Sequence, residues 1–163
     1  MIKMKKFTRQ NGFSETELLH WAIDHLASAK ILFEANPRCF DSAGYLSHLG
    51  IELILKAILL NGRNEFPNEH SLVELSNSIE TYGAKFNYTN EHKETLEVLD
   101  GFNELRYPKT LNPIEIGDDD WSKIEGLYKH LISNLPDHIQ QNLRQIQHTE
   151  KGNRILTRRR KGI

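Results

Sequence analysis

An arginine next to a tyrosine, Arg106-Tyr107, can hold a phosphorylated ligand. The guanidinium offers a fork of donors to phosphate oxygens, and the ring offers a flat face to a base or ribose. A plainer role is open to the same residues, with Arg106 paired to Glu104 or to an acid on a neighbouring helix and Tyr107 filling a core edge. Glu52 and Lys56 stand four apart, the spacing of an intrahelical ion pair or of a partly buried bridge to another helix. The alternative puts Lys56 on the wall of a cleft. His48 and Glu52 share the same spacing and could face one metal, but zinc sites need more than two ligands and no third follows by spacing. His20 and His25 fall on different faces of one helix. His70 stands where a helix opens and reads as a cap for backbone N–H groups. Asp118-Asp119-Asp120 reads as helix capping at the positive end of the dipole, because adjacent helical residues do not face one another. Cys39 has no catalytic partner in view, and the chain has neither a nucleophile elbow nor a glycine-rich phosphate loop. No metal or cofactor is expected.

These side chains need a scaffold, and bulk properties restrict what it can be. With 163 residues the chain is long enough for one domain with a real core and short for two. A single cysteine excludes an internal disulfide and a cysteine-cluster zinc site, which points to the cytoplasm. Lys3, Lys5 and Lys6 are not followed by an apolar run, and the most apolar stretch, Ile51 to Leu60, is broken by Glu52 and Lys56. Neither a signal peptide nor a membrane span is expected. The net charge of -1 hides an asymmetry: residues 1–13 carry +4, residues 14–136 carry -10 and residues 137–163 carry +5. The basic ends could touch nucleic acid or an acidic partner, with solvated, mobile termini as the plainer reading.

Periodicity then supplies an all-α fold, a compact up-and-down bundle of about five helices with a basic C-terminal tail. Helix one begins at a Ser14/Glu17 capping box, buries Leu18, Trp21, Ala22, Ala29, Leu32 and Phe33, and ends at Asn36-Pro37. Helix two runs from Asp41 or Ser42 to Leu60, stops at Asn61-Gly62, and is central; Gly50 within it allows a neighbouring helix to come close. Helix three spans Ser71 to Tyr82 and stops at Gly83. Helix four starts at Thr89 or Asn90, continues through Leu105 and is ended by Pro108. Lys109 to Gly117 is a loop in which Ile114 and Ile116 form a short extended piece. Helix five runs from Asp118–Asp120 to Pro136. Residues 14–136 form the bundle, and 137–163 hold a short amphipathic helix, able to dock on the body or on a second copy, followed by a mobile tail from about His148.

The run from Ala43 to Leu60 resembles the second helix of the HEPN family of small helical domains, with Glu52 and Lys56 in place. Pro67, His70 and Leu72 match the loop and short helix that follow, and Leu105-Arg106-Tyr107-Pro108 is similar to the arginine motif closing the fourth. The resemblance covers roughly residues 14 to 136. It implies a bundle of four to five helices, commonly a homodimer, of the kind found in toxin–antitoxin and defence systems. Some members are metal-independent endoribonucleases, others bind nucleotides or RNA without cutting, and several pair with a nucleotidyltransferase protein. Catalytic members place a histidine shortly after the arginine, to move a proton while the arginine steadies the phosphorane. Here Leu111, Asn112 and Pro113 follow Arg106 instead, so the expectation is a non-catalytic module for nucleotide or RNA. Its contacts are Arg106, Tyr107, Lys109 and Asn112, with Lys56 as an outlying candidate. An endoribonuclease using His48 or His70 beside Arg106, and a pure protein-interaction subunit working through the apolar faces of helices one and two, remain the alternatives.

Overall fold

The computed structural model describes residues 5–84, 86–107 and 114–150. Six α-helices are present among these residues, together with one two-stranded ribbon.

Helix α1, Glu15–Ala35, opens where the Ser14 hydroxyl accepts the Glu17 N–H, and it ends at the extended Asn36 before Pro37. Its buried side carries Leu18, Leu19, Ala22, Leu26, Ala29 and Phe33. Trp21, expected on that side, is instead 48% exposed, with its ring against His25. The indole is too wide for the close seam that α1 makes with the next helix. That helix, α2, Phe40–Arg63, is the centre of the fold and packs against α1 and three later helices. It passes the expected stop at Asn61-Gly62 by a short way and closes at Asn64, whose φ of 61° is the left-handed turn a short amide tolerates. By length and composition the stretch Pro37–Arg63 could cross a membrane, but 72% of that window is buried inside the protein. It is a core helix.

The remaining helices fold back on α2. Helix α3, Leu72–Thr81, is capped by Ser71 and stops before Gly83 at φ 90°. Helix α4, Asn90–Phe102, is capped by Thr89. It gives way to a 3-10 turn, Asn103–Arg106, three residues before the expected end through Leu105. Helix α5, Asp118–Ser133, starts where Asp120 accepts the Gly117 N–H at 2.7 Å, the capping role assigned to the aspartates. Helix α6, Asp137–Glu150, buries Ile139 and Leu143 and packs on α1. It therefore docks on the body and continues past His148. Residues 114–117 do not form a strand, although Ile114 and Ile116 pack against the core.

The basic N-terminus is tied down where a mobile end was expected. Strand β1, Lys6–Thr8, pairs antiparallel with β2, Glu65–Pro67. Lys6 bonds Glu65 at 2.5 Å, Arg9 reaches both Glu15 and Asn64, and the Phe13 ring meets those of Phe7 and Phe66 edge to face, with Phe7 tilted against Phe66. Through β2 the short ribbon packs on α2.

Two glycines set the distances. A Cβ on Gly50 would sit 2.6 Å from Leu26 Cγ and 3.1 Å from the Ala22 carbonyl oxygen of α1. A Cβ on Gly44 would sit 2.5 Å from Ile116 Cδ1 and 2.9 Å from Leu105 Cδ1. Alanine is normally the better helix former by about 1 kcal/mol. At position 50 that gain is outweighed, because the obstructing carbonyl belongs to the backbone of α1 and cannot rotate away. Gly50→Ala is expected to destabilise the fold by about 1–3 kcal/mol in denaturant titration, and a stabilised variant would show that the α1–α2 seam is slack.

Candidate functional site

The side chains singled out by type and spacing fall into two separate places on α2. The first is interior. Glu52 is 5% exposed and Lys56 6%, and Lys56 Nζ donates to Glu52 Oε1 at 2.5 Å, the i,i+4 pair that the spacing predicts. His48, wholly buried one turn earlier, places Nε2 at 3.3 Å from Glu52 Oε2. Its Nδ1 lies 2.8 Å from the Leu99 carbonyl of α4 and must carry the proton there, since a carbonyl only accepts. The alignment of Nε2 toward Glu52 falls short of a hydrogen bond, leaving a contact of ion-pair length. From the start of α3, His70 brings Nδ1 to 3.1 and 3.3 Å from the two Glu52 oxygens.

One carboxylate therefore gathers three basic side chains and joins α2 to α3, while His48 joins it to α4. Burial alone pushes the Glu52 carboxyl up. Contacts with His48 and Lys56 and the charges of Lys56 and His70 overcome that and hold it down at about 2. Because Lys56 occupies one oxygen and His48 is pinned to Leu99, the group is not arranged as a metal site, and no metal-binding cluster occurs among the described residues. Lys56, the outlying ligand candidate, is turned inward and committed to Glu52.

His70 does not cap α3 as its position suggests. Ser71 does so, and Asp100 of α4 accepts from the Ser71 hydroxyl at 2.8 Å and from the N–H groups of Leu72 and Val73. Glu69 takes the N–H groups of His70 and Ser71. With its backbone fixed between two carboxylates, the His70 imidazole is free to turn onto Glu52, leaving its side chain 54% exposed.

The second place is on the surface. The 3-10 turn after α4 lies against the first half of α2, because Gly44 lets Leu105 seat beside it. That seat puts the Arg106 guanidinium 6.0 Å from the Tyr45 ring centroid and 5.9 Å from that of Tyr107. Arg106 Nε donates to the Asn103 carbonyl at 3.2 Å. Arg106 is exposed and Tyr107 is 69% exposed. A guanidinium beside two rings at an exposed position can take an anion and a flat ring together. Tyr45 lies in the first half of α2, and nothing in its own sequence neighbourhood points to Arg106. Lys109 and Asn112 lie outside the described residues.

The two places do not merge. Tyr45 and Glu52 are separated by two turns of α2, about 10 Å of rise, which keeps His70 with Glu52, while His48, within one turn of Tyr45, is wholly buried and turned onto Leu99 and Glu52.

Linkage gives the interior group a pH signature. A carboxyl held near 2 against an ordinary value of 4.5 binds its proton more weakly in the folded state, so its contribution is complete above 4.5 and is lost as pH falls toward 2. That contribution is on the order of 3 kcal/mol. Denaturant titrations at pH 7 and pH 3 should show this acid loss in the wild type and a much smaller one in Glu52→Gln, which is less stable at pH 7 by about 3–5 kcal/mol.

Compared with known sequences, the family model described as HEPN domain matches residues 16–148. No curated protein and no solved structure matches the chain. The match spans the six helices nearly from end to end, and the chain belongs to the HEPN domain family.

Proposed function

We propose that this HEPN domain is a non-catalytic binding module for nucleotide or RNA, acting in the cytoplasm, as a homodimer, within a toxin–antitoxin or defence system. The observation that carries the reading is the exposed Arg106 guanidinium about equally far from the rings of Tyr45 and Tyr107, with Tyr107 itself 69% exposed. A cation and an aromatic face are thus offered together at the surface. Phosphate goes to the guanidinium, and a base or ribose stacks on Tyr107. Lys109 and Asn112 follow closely in sequence and belong to the same proposed contact set. Lys56 leaves it, because its ammonium is spent on Glu52. A nucleotidyltransferase partner would bind elsewhere, on the exposed side of α1 that carries Trp21 and Ile31, since α2 is too deeply buried to offer a face.

One observation favours the catalytic reading, and it concerns His70. A buried, ionised carboxylate holds Nδ1 of a half-exposed imidazole, the arrangement that orients a general acid or base. Against it, Arg106 is two turns of α2 away. Arg63, seven positions before His70 in the sequence, instead lies 4.3 Å from the Tyr82 ring at the opposite end of α3. No described arginine is placed beside His70 to steady a phosphorane.

Titration with single-stranded RNA and with common nucleotides should find Arg106→Ala at least about tenfold weaker than wild type, with the salt slope reduced by about one. Equal binding by both proteins would remove this surface from consideration. In an RNA-cleavage assay without metal, neither wild type nor His70→Ala should cut; cleavage lost on replacing His70 would establish the catalytic reading in its place.

A further inference from the structure

At the far end of α4 from Arg106, two histidines that are 38 positions apart in the sequence stack on each other. His92, in the first turn of α4, and His130, in the last turn of α5, have ring centroids 4.3 Å apart at an interplanar angle of 34°. Their hydrogen bonds fix which nitrogen of each carries a proton. His92 Nδ1 accepts the Thr89 backbone N–H at 3.3 Å while the Thr89 hydroxyl accepts the His92 N–H at 3.2 Å, a reciprocal capping box with histidine where glutamate or glutamine usually stands. Nδ1 of His92 is therefore bare, and its proton is on Nε2. His130 Nε2 faces the Phe86 carbonyl and must be the protonated nitrogen there, leaving Nδ1 bare.

The bare nitrogens are not equivalent. A proton added at His130 Nδ1 disturbs no hydrogen bond among the described residues. A proton added at His92 Nδ1 meets the Thr89 N–H head-on, abolishes half of the capping box, and places a second cation at the positive end of α4 against the His130 ring. All three effects act in one direction. We propose that His92 and His130 are a pH-sensitive latch that holds the start of α4 to the end of α5 and to the 86–89 segment, closed while His92 is neutral and released when its ring takes a proton.

Among the described residues, the titratable groups set against the pair come from the 86–89 segment, α3, α4 and α5. From the 86–89 segment, the Tyr88 ring lies 6.4 Å from His92 and 5.8 Å from His130. It stays uncharged, since burial pushes its hydroxyl up to about 12, helped by Glu80 of α3. From α5 comes His130, and from α4 itself Glu91, whose carboxylate favours the charged form of His92 and so opposes release. Burial, with His130 second, outweighs Glu91 and lowers His92 from 6.5. A histidine with a lowered value favours the fold fully above 6.5 and loses that contribution as pH drops through its folded-state value. The latch thus opens on mild acidification. Release loosens the α4–α5 groove of about 280 Å³ whose floor is Val98, Leu99, Phe102 and Ile124, so the consequence is exposure of apolar surface between two helices.

Hydrogen exchange of residues 86–93, corrected for the intrinsic effect of pH, tests this on the full chain. Between pH 7.5 and pH 5 the wild type should lose protection there on the order of fivefold, the factor a second unit charge at this separation gives in a water-like dielectric. His92→Gln retains an acceptor for the Thr89 N–H and cannot titrate, so its protection should not change over that range. In His130→Gln the His92 ring, followed by NMR, should titrate at a higher pH than in the wild type. Acid loss in His92→Gln equal to that of the wild type, protection in the wild type that ignores pH, or a His92 titration unmoved by His130→Gln would each overturn the latch.

Discussion

A carboxylate sealed inside a helical bundle must find cations and donors, and the way Glu52 finds them organises this protein. Its partners come from one turn back on its own helix, one turn ahead, and from two residues before α3. Through His48 the same group reaches a carbonyl of α4. An apolar residue at position 52 could pack, but it would not select where α3 begins or how far α4 slides along α2. Removing Glu52 leaves the Lys56 ammonium buried without its carboxylate, which costs far more than the assembled pair contributes. The polar centre therefore acts as a registration device as much as a source of stability, and Asp100 repeats the principle by gripping the first turn of α3 from α4.

Much of this was legible from local signals. Ser14, Ser71 and Thr89 announce helix starts because a hydroxyl that satisfies an N–H two or three residues ahead is a strictly local device. Glu52 with Lys56 is legible for the same reason. Gly50 is readable as a place of close approach, although only the fold reveals that the approaching groups are Leu26 and the Ala22 carbonyl. What was hidden is what depends on distant parts of the chain. The three-residue strands β1 and β2 are too short to show a period and exist because each supplies the other's hydrogen bonds across almost sixty residues. His70 reads locally as a cap, and Asp100, thirty positions on, takes that job and releases the imidazole for Glu52. The Arg106 surface was half legible: Arg106 and Tyr107 are adjacent in sequence, whereas Tyr45 joins them only because Gly44 admits Leu105.

Trp21 shows the reverse error. Its position on the apolar stripe of α1 places it inside, but the α1–α2 seam is drawn tight by Gly50 against Leu26 and has room for Leu, Ala and little else. The indole is displaced onto the flank with His25, where burial lowers the histidine against the pull of Asp24. Helical periodicity gives direction without depth, so a bulky residue at the edge of a stripe is decided by how closely the next helix approaches.

The separation between the interior carboxylate and the surface arginine bears on which substitutions the fold can absorb. Arg106 is carried by a four-residue 3-10 turn whose seat on α2 is set by Leu105 and Gly44, and none of its own side-chain contacts enters the core. Lys56 donates to Glu52, and His48 touches Glu52 and bonds α4 through Nδ1. Substitutions around Arg106 and Tyr107 can therefore alter that surface while leaving the register of the helices intact, whereas substitutions at Glu52 disturb the register without touching it. His70 alone belongs to both regimes, bonded inward through Nδ1 and open to water through the rest of its ring. If chemistry was ever added to or lost from this scaffold, that imidazole is where the cost to the fold would have been smallest.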